Sequence, residues 1–162
     1  MSEQETVEQQ VADENEGSME SAQIGFFVGR HYLCDLSVEN PTGRVEDTQL
    51  QEIVYALDGS VNAKQLGEEG LFLVELGLRL TAILRDRVVF MVEITYRVEV
   101  ELRGIPEPVQ PFTLGVSVPE WIFPLLQEIL QRNAAYAGYP EAIFNAPDYR
   151  GKYVANQESR AV

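Results

Sequence analysis

The sequence is short of cysteine, histidine and basic residues, and it contains no long hydrophobic segment. One cysteine and one histidine in 162 residues exclude an internal disulfide and the usual zinc-binding patterns. No apolar run approaches the roughly 20 residues of a membrane-spanning helix. The acidic N-terminus also lacks the apolar stretch of a signal peptide. These absences favour a cytoplasmic protein that does not insert into a membrane.

The shortage of basic residues leaves a net charge of −14 at pH 7. Nucleic acids and anionic membrane surfaces both attract basic patches, so we expect neither as a partner. Part of the charge lies in residues 1–23, which contain no lysine or arginine and few large apolar side chains. Such a segment buries too little apolar surface to offset its ordering entropy. We therefore predict a disordered tail at 1–23, one domain at 24–156 and a flexible tail at 157–162.

Four segments alternate between apolar and polar residues, which is the pattern of half-buried β-strands. They lie at about 24–39, 52–64, 70–85 and 87–103. Short reversals at 67–70 and 85–87 favour antiparallel pairing, whereas the irregular segment 40–50 is predicted to be a crossover loop. The first strand can then lie beside the fourth, in a Greek-key-like order.

In the first strand, the segment HYLCDLSVENP (31–41) separates an apolar face from an acidic one. The even positions hold Tyr32, Cys34, Leu36 and Val38. We expect these side chains to point inward, because successive residues of a strand face opposite sides of the sheet. Asp35 and Glu39 should then point outward. Cys34 is predicted to be a small buried hydrophobic residue and not a reactive thiol.

From Val118 the apolar residues recur with the period of a helix, and Gly138 is a natural stop. Ser117 and Glu120 match a capping box, while Pro124 either kinks this helix or marks its start. The C-terminal segment that follows predicts at most a short second helix. The predicted fold class is α+β, a four-stranded antiparallel sheet with one long and one short C-terminal helix on one face.

The predicted sheet is larger than the predicted long helix can cover. Its longest strands reach roughly 50 Å and four strands span about 19 Å, whereas a helix of about 20 residues covers roughly 30 Å by 10 Å. The uncovered apolar area far exceeds the few hundred Å² that soluble monomers usually expose. The sequence therefore predicts self-association, a groove for apolar ligands, or both.

A set of short motifs extends over residues 26–153. The first strand reads R-x-Y-x-x-D-x-S-x-E-x-P from Arg30 to Pro41, the fourth contains VVFMVEITY (88–96), and the helix contains VPEWIFPLLQEI (118–129). Gly138-Tyr139-Pro140 follows the helix. Together these motifs resemble the SecB family of protein-export chaperones.

The resemblance implies subunits that pair through sheet edges into dimers, two of which sandwich their long helices in a homotetramer. It also implies a holdase that is not an enzyme and needs no cofactor or metal. Such a chaperone binds unfolded precursor polypeptides and delivers them to the SecA motor ATPase for Sec-dependent export. At the oligomer interface we expect Trp121, Phe123, Leu126 and Leu130, although the two aromatic residues are equally compatible with the core.

The family contacts SecA through an acidic patch on the exposed sheet face. Matching positions carry this site over to Asp35, Glu39, Met91 and Glu93, all of them odd-numbered, on the face that the alternation predicts to be outward. The family's client groove lies between the crossover loop, the second strand and the C-terminal helix. Here it corresponds to Val45, Leu50, Ile53, Tyr55, Phe144 and Tyr149.

Two other functions remain open. The crossover loop lacks the bulky aromatics usual in the family, and Arg97-Val98-Glu99 replaces the usual G-I-F, so a SecB-like chaperone dedicated to one partner such as an antitoxin is one alternative. A small-molecule-binding or enzyme domain on the same fold is the other, but no Gly-rich phosphate loop or carboxylate pair in a hydrophobic setting supports it. Without the motif, Asp35 and Glu39 would be interpreted as a solvated sheet face.

Overall fold

The computed structural model describes residues 23–160, so most of the predicted N-terminal tail lies outside the described residues. The elements in chain order are β1 (Gly25–Glu39), a 3-10 helix (Asp47–Glu52), β2 (Val54–Gln65), β3 (Leu71–Leu84), β4 (Arg87–Arg103), α1 (Gln110–Phe112), a π-helical turn (Thr113–Ser117), α2 (Val118–Tyr136) and α3 (Tyr149–Arg160). The predicted α+β class is confirmed. The helix α3 runs on through 157–160, which the sequence had assigned to a flexible tail. No helix within residues 23–160 is long and apolar enough to cross a membrane.

The four strands form one antiparallel sheet in the order β1-β4-β3-β2. The prediction that the first strand lies beside the fourth is confirmed, and β1 and β2 are the two edges. A two-residue reversal joins β3 to β4, with Leu84 opposite Arg87. Its central residues, Arg85 and Asp86, have φ values of 49° and 63°. Positive φ at both positions matches the turn type that suits the twist of a tight hairpin.

The hydrophobic core lies between one face of the sheet, which we call the inner face, and the helices. Even-numbered side chains of β3 and β4 point into it, and Val74, Leu76, Leu80, Val92, Val98 and Val100 are fully buried. From α2, Leu126 and Leu130 are completely buried in the same cluster. The alternation in the sequence therefore identified the buried face of both central strands.

The strand β1 departs from regular alternation because it has two register shifts against β4, one on either side of residues 31–33. Each shift places an extra residue in β1, and one extra residue reverses the face on which the following side chains lie. Tyr32 consequently lies opposite Arg97 on the outer face, so the prediction that it points inward is wrong. Cys34 lies at the second shift and is exposed, so the prediction that it is buried is wrong. From Leu36 onward the predicted alternation is restored.

The chain is already helical before the predicted start of the long helix. Ser117 has helical dihedral angles and makes no side-chain capping bond, so the predicted capping box is wrong. The Val118 N–H bonds to the carbonyl of Thr113, the spacing of a π-helix. The next residue is Pro119, which has no N–H to contribute. Pro124 lies inside α2 and does not mark its beginning.

The end of α2 is where the sequence predicted it. Gly138 has a φ of 97°, its N–H bonds to the carbonyl of Ala135 at 3.1 Å, and the Tyr139 N–H bonds to that of Ala134 at 2.8 Å. These two bonds form a Schellman motif, which requires a residue in the left-handed conformation at the Gly138 position. The motif turns Tyr139 back into the core, where its ring stacks on Phe90 with the ring centroids 5.1 Å apart.

Candidate functional site

The face of the sheet away from the core, the outer face, brings together the four residues predicted to bind a partner. Glu39 of β1 lies directly opposite Met91 of β4. Glu93 is the next outward residue of β4, and the register places it diagonally beside both Asp35 and Glu39. Directly opposed side chains of antiparallel strands are about 5 Å apart and diagonal ones about 7–8 Å. We call Asp35, Glu39, Met91 and Glu93 the acidic patch.

The three carboxylates of the acidic patch differ in their electrostatic surroundings. Asp35 and Glu39 are exposed, and within residues 23–160 neither has an ion-pair partner. Glu93 accepts a hydrogen bond from the Nε of Arg79, which lies directly opposite it on β3. The patch therefore contains two unpaired carboxylates and a third that is shared with an arginine of the same subunit.

Elsewhere on the outer face, the carboxylates of β3 and β4 are neutralised by arginines. The pairs are Arg97 with Glu75 at 2.8 Å, Arg30 with Glu99 at 2.9 Å and Arg103 with Glu101 at 2.8 Å. The hydrogen bond from Arg103 lowers the pKa of Glu101, so that this pair stays ionised near neutral pH. Exposed pairs of this kind add little stability. Their effect is to confine unpaired negative charge on these strands to the acidic patch.

The residues predicted to form a client groove lie in different surroundings. Leu50, Ile53 and Tyr55 line a groove of about 660 Å³ with the segment that contains Tyr139. Ile53 is nearly buried, with 9% of its surface exposed. Val45 and Phe144 are core residues, with 6% and 8% exposed. Tyr149 is 3% exposed and lines a different groove, between β2 and α3. Burial raises the pKa of Tyr149 to about 12. The structure therefore divides the six predicted residues between two grooves and the core.

A second groove of about 660 Å³ lies between the edge strand β2 and α3, and among the predicted groove residues it contains Tyr149. The helix is held against β2 by Lys152, whose Nζ lies 2.7 Å from Oδ1 of Asp58 and 2.6 Å from the carbonyl oxygen of Gly59. The hydrogen bond from this ammonium lowers the pKa of Asp58. A Cβ at Gly59 would lie only 2.7 Å from Cγ of Pro147, so the close approach of this segment requires glycine.

The residues predicted at the oligomer interface need a correction. Phe123, Leu126 and Leu130 are buried within the subunit, with 8%, 0% and 0% exposed, because α2 directs them onto the sheet. They are core residues and offer no surface to another subunit. Trp121 is 56% exposed and touches Phe26 edge-on. Trp121 alone among the four remains a predicted interface residue.

The edge strand β1 leaves part of the inner face uncovered. Leu33, Leu36 and Val38 point to that face and are 39%, 41% and 44% exposed, whereas equivalent positions of β4 are buried. The residues that the structure describes contain no group of three or more His, Cys, Asp or Glu placed to hold a metal ion. What this subunit presents is an apolar strip on one side of β1 and unpaired carboxylates on the other.

The sequence matches the family described as preprotein translocase subunit SecB over residues 19–160. The chain belongs to the SecB family. This SecB-family protein is 26% identical over 148 residues to the protein-export protein SecB of Methylobacillus flagellatus, across 91% of this chain and 94% of the relative. It is 30% identical over 125 residues to that of Orientia tsutsugamushi strain Boryong, across 75% of this chain and 77% of the relative.

A solved structure also shares the fold of this SecB-family protein. It is a Mycobacterium tuberculosis SecB-like chaperone in complex with a ChAD peptide from the HigA1 antitoxin. The two folds superpose with a TM-score of 0.63 at 10% identity, across 74% of this chain and 89% of the other. At this identity the likeness concerns the fold alone.

Proposed function

We propose that this SecB-family chaperone is a holdase that binds non-native precursor polypeptides in the cytoplasm and delivers them to the SecA motor for export. The family match and the relatives named protein-export protein SecB support the chaperone role. The observation that carries the delivery step is the pair of unpaired carboxylates, Asp35 and Glu39, beside Glu93 on the outer face. The proposed activity involves no enzymatic step and no cofactor.

The acidic patch suits a basic segment of the motor. Asp35 and Glu39 are exposed and carry charge that no arginine in the described part of the chain neutralises. Each exposed ion pair with a partner is worth only about 0–1 kcal/mol, but several carboxylates on one strand pair attract a cationic segment together and speed its association. Met91 adds an apolar contact within the same patch.

The grooves beside β2 suit extended, unfolded clients. Leu50, Ile53 and Tyr55 provide apolar walls, and no strand within residues 23–160 pairs with the outer edge of β2. Burial of apolar side chains and pairing with an edge strand both act without reading a particular sequence. We therefore propose this side of the subunit as the client-binding side.

Assembly into a homotetramer, a dimer of dimers, is part of the proposal. Leu33, Leu36 and Val38 on the β1 edge are partly exposed together with Trp121 of α2. Covering such apolar side chains favours contact between subunits. The described residues suit the pairing of sheet edges that the family resemblance implies.

Charge reversal at the acidic patch tests the motor contact. The double change Asp35→Lys with Glu93→Lys should abolish SecA binding in a titration, because it replaces attraction by repulsion. The tetramer mass by light scattering and the suppression of aggregation of an unfolded client should both persist. The matched control is Glu99→Lys with Glu101→Lys, which also replaces two carboxylates of the outer face by lysines but lies outside the acidic patch. This variant should retain SecA binding.

Three results would contradict parts of this proposal. Full SecA affinity in the double variant would show that the acidic patch is not the motor site. A monomer at micromolar concentration would contradict the assembly. Failure to hold any unfolded client except one antitoxin would favour a dedicated chaperone, a role for which the 10% identical neighbour gives no argument beyond the fold.

A further inference from the structure

We infer that Arg79 competes with a basic partner for Glu93 and thereby sets the affinity of the acidic patch. The inference rests on the proposed function, because it concerns the same site. It goes beyond that function by assigning a role to a residue of β3 that belongs to neither the predicted motor site nor the client groove. Arg79 acts here as an intramolecular occupant of the position that a partner's cation would take.

The geometry of the central strands supports this competition. Arg79 and Glu93 are directly opposed on β3 and β4, and the guanidinium donates to the Glu93 carboxylate. Both side chains lie on the outer face, with 61% of the arginine and 36% of the glutamate side chain exposed. The same carboxylate lies diagonally beside Asp35 and Glu39. Its charge therefore interacts both with Arg79 and with the other carboxylates of the acidic patch.

The strand β2 places one other anion opposite Arg79, and that anion is already bound by α3. Asp58 lies opposite Arg79 on the other side, and its Oδ1 accepts hydrogen bonds from Lys152 Nζ at 2.7 Å and from the Gly59 N–H at 2.9 Å. The charge of Arg79 is only the smallest of the effects that lower the Asp58 pKa, whereas the ion pair of Arg79 within residues 23–160 is with Glu93.

Two consequences follow for a cationic partner. With Arg79 in place, a lysine or arginine that approaches Glu93 meets an almost neutral pair and not a full negative charge. Because Arg79 is mostly exposed, it can turn away from Glu93 at small cost, since an exposed pair changes an equilibrium by at most about fivefold, or about 1 kcal/mol. Arg79 should therefore weaken partner binding moderately and not prevent it.

The test removes Arg79 and follows binding of two probes at an ionic strength of about 0.1 M, where the Debye length is about 10 Å. One probe is a short fluorescein-labelled peptide of lysine and serine, and the other is the purified SecA motor. Arg79→Gln should bind the peptide about fivefold more tightly than the wild type. In a Glu93→Gln background the same change should give less than about twofold, because the carboxylate for which the two cations compete is absent.

A matched control separates competition from a general loss of positive charge. Arg103→Gln also removes an arginine that is paired with a glutamate on the outer face. Arg103 lies ten residues further along β4 than Glu93, roughly 33 Å away. This distance exceeds the Debye length of about 10 Å, so Arg103→Gln should leave peptide affinity unchanged. Arg79→Met is a second variant with the same expected gain, and thermal melting of every variant verifies folding.

The outcomes distinguish this inference from the proposed function. Unchanged or weaker peptide binding by Arg79→Gln, an equal gain in the Glu93→Gln background, or an equal gain in Arg103→Gln would each overturn the competition. If the peptide results are as expected but SecA binds no variant, the competition stands and the proposed function fails. If SecA binds the wild type while Arg79→Gln leaves peptide affinity unchanged, the function stands and the inference fails.

Discussion

Replacing each of two buried tyrosines by phenylalanine should have opposite effects on the free energy of unfolding. Tyr139 and Tyr149 have 1% and 3% of their surfaces exposed. The Tyr139 hydroxyl donates to the carbonyl oxygen of Val89 at 3.1 Å. Val89 is the residue skipped by the register shift between β3 and β4, where a bulged residue lacks its ladder partner. The Tyr149 hydroxyl has no hydrogen-bond partner in the described part of the chain.

The expected magnitudes follow from these environments. Tyr139→Phe leaves a buried carbonyl without its donor and should lower the free energy of unfolding by about 1–2 kcal/mol. Tyr149→Phe removes an unpaired buried hydroxyl and should leave that free energy unchanged or raise it by up to about 1 kcal/mol. A difference of about 2 kcal/mol between the variants corresponds to about 4–8 °C in Tm for a chain of this size.

Thermal and urea unfolding at one fixed protein concentration provide the measurement, because the proposed assembly would make Tm depend on concentration. The pH gives a second check on Tyr149. Its folded pKa is about 12 against an ordinary 10.0, so its contribution to stability is complete below pH 10 and is lost as the pH rises towards 12. Tyr149→Phe should remove this part of the alkaline loss. Equal destabilisation by both substitutions would refute the reasoning from hydrogen bonding.

Two further predictions concern the docking of the C-terminal segment onto β2. Gly59→Ala should destabilise the protein by about 1–3 kcal/mol, because the new methyl group would meet the rigid Pro147 ring at 2.7 Å. Gly77→Ala is the control, since the nearest atom there is the rotatable Ser60 hydroxyl. Comparable urea midpoints for the two variants would contradict this account. Lys152→Met should loosen α3, measured by hydrogen exchange of its amides, most strongly where Asp58 is ionised, because the bond of Lys152 to the Gly59 carbonyl oxygen does not depend on that charge. Since Lys152 lowers the Asp58 pKa, the contribution of the ion pair is present above about pH 4 and lost as pH falls through the lowered value. A difference from wild type that is equally large at lower pH would argue against the ion pair.

The strands were predictable because alternation over more than ten residues is a strong local signal, and their order followed from the short links and the crossover loop. The two bulges of β1 were not predictable in the same way. Gly29, which lies at the first register shift, offered a hint, because an isolated glycine in a strand often marks a bulge. The second shift, beside Cys34, has no such residue. The face of the sheet on which Tyr32 and Cys34 lie therefore depends on how β1 pairs with β4, which the sequence of β1 alone does not reveal.

The acidic patch was predictable in its membership but not in its electrostatics. Asp35, Glu39 and Glu93 were carried over from the family resemblance and share odd parity, and they lie on one face because the second shift of β1 restores the parity that the first reverses. Pairing of Glu93 with Arg79 depends on the register of β3 against β4. A hairpin closed at Arg85 and Asp86 without any shift would place Arg79 opposite Val92, on the inner face. The shift after Ala82 moves it opposite Glu93.

The strand β1 places the surface proposed for assembly and the surface proposed for motor binding on opposite faces of the sheet. Asp35 and Glu39 point to the outer face, while Leu36 and Val38 between and beside them point to the inner face. Because successive side chains face opposite sides of the sheet, a partner on the carboxylates covers none of the apolar side chains. A second subunit on the apolar strip likewise leaves the carboxylates exposed. The two contacts are therefore separated by the thickness of one sheet, and Leu36→Ser should weaken assembly while a subunit's affinity for a cationic peptide is retained.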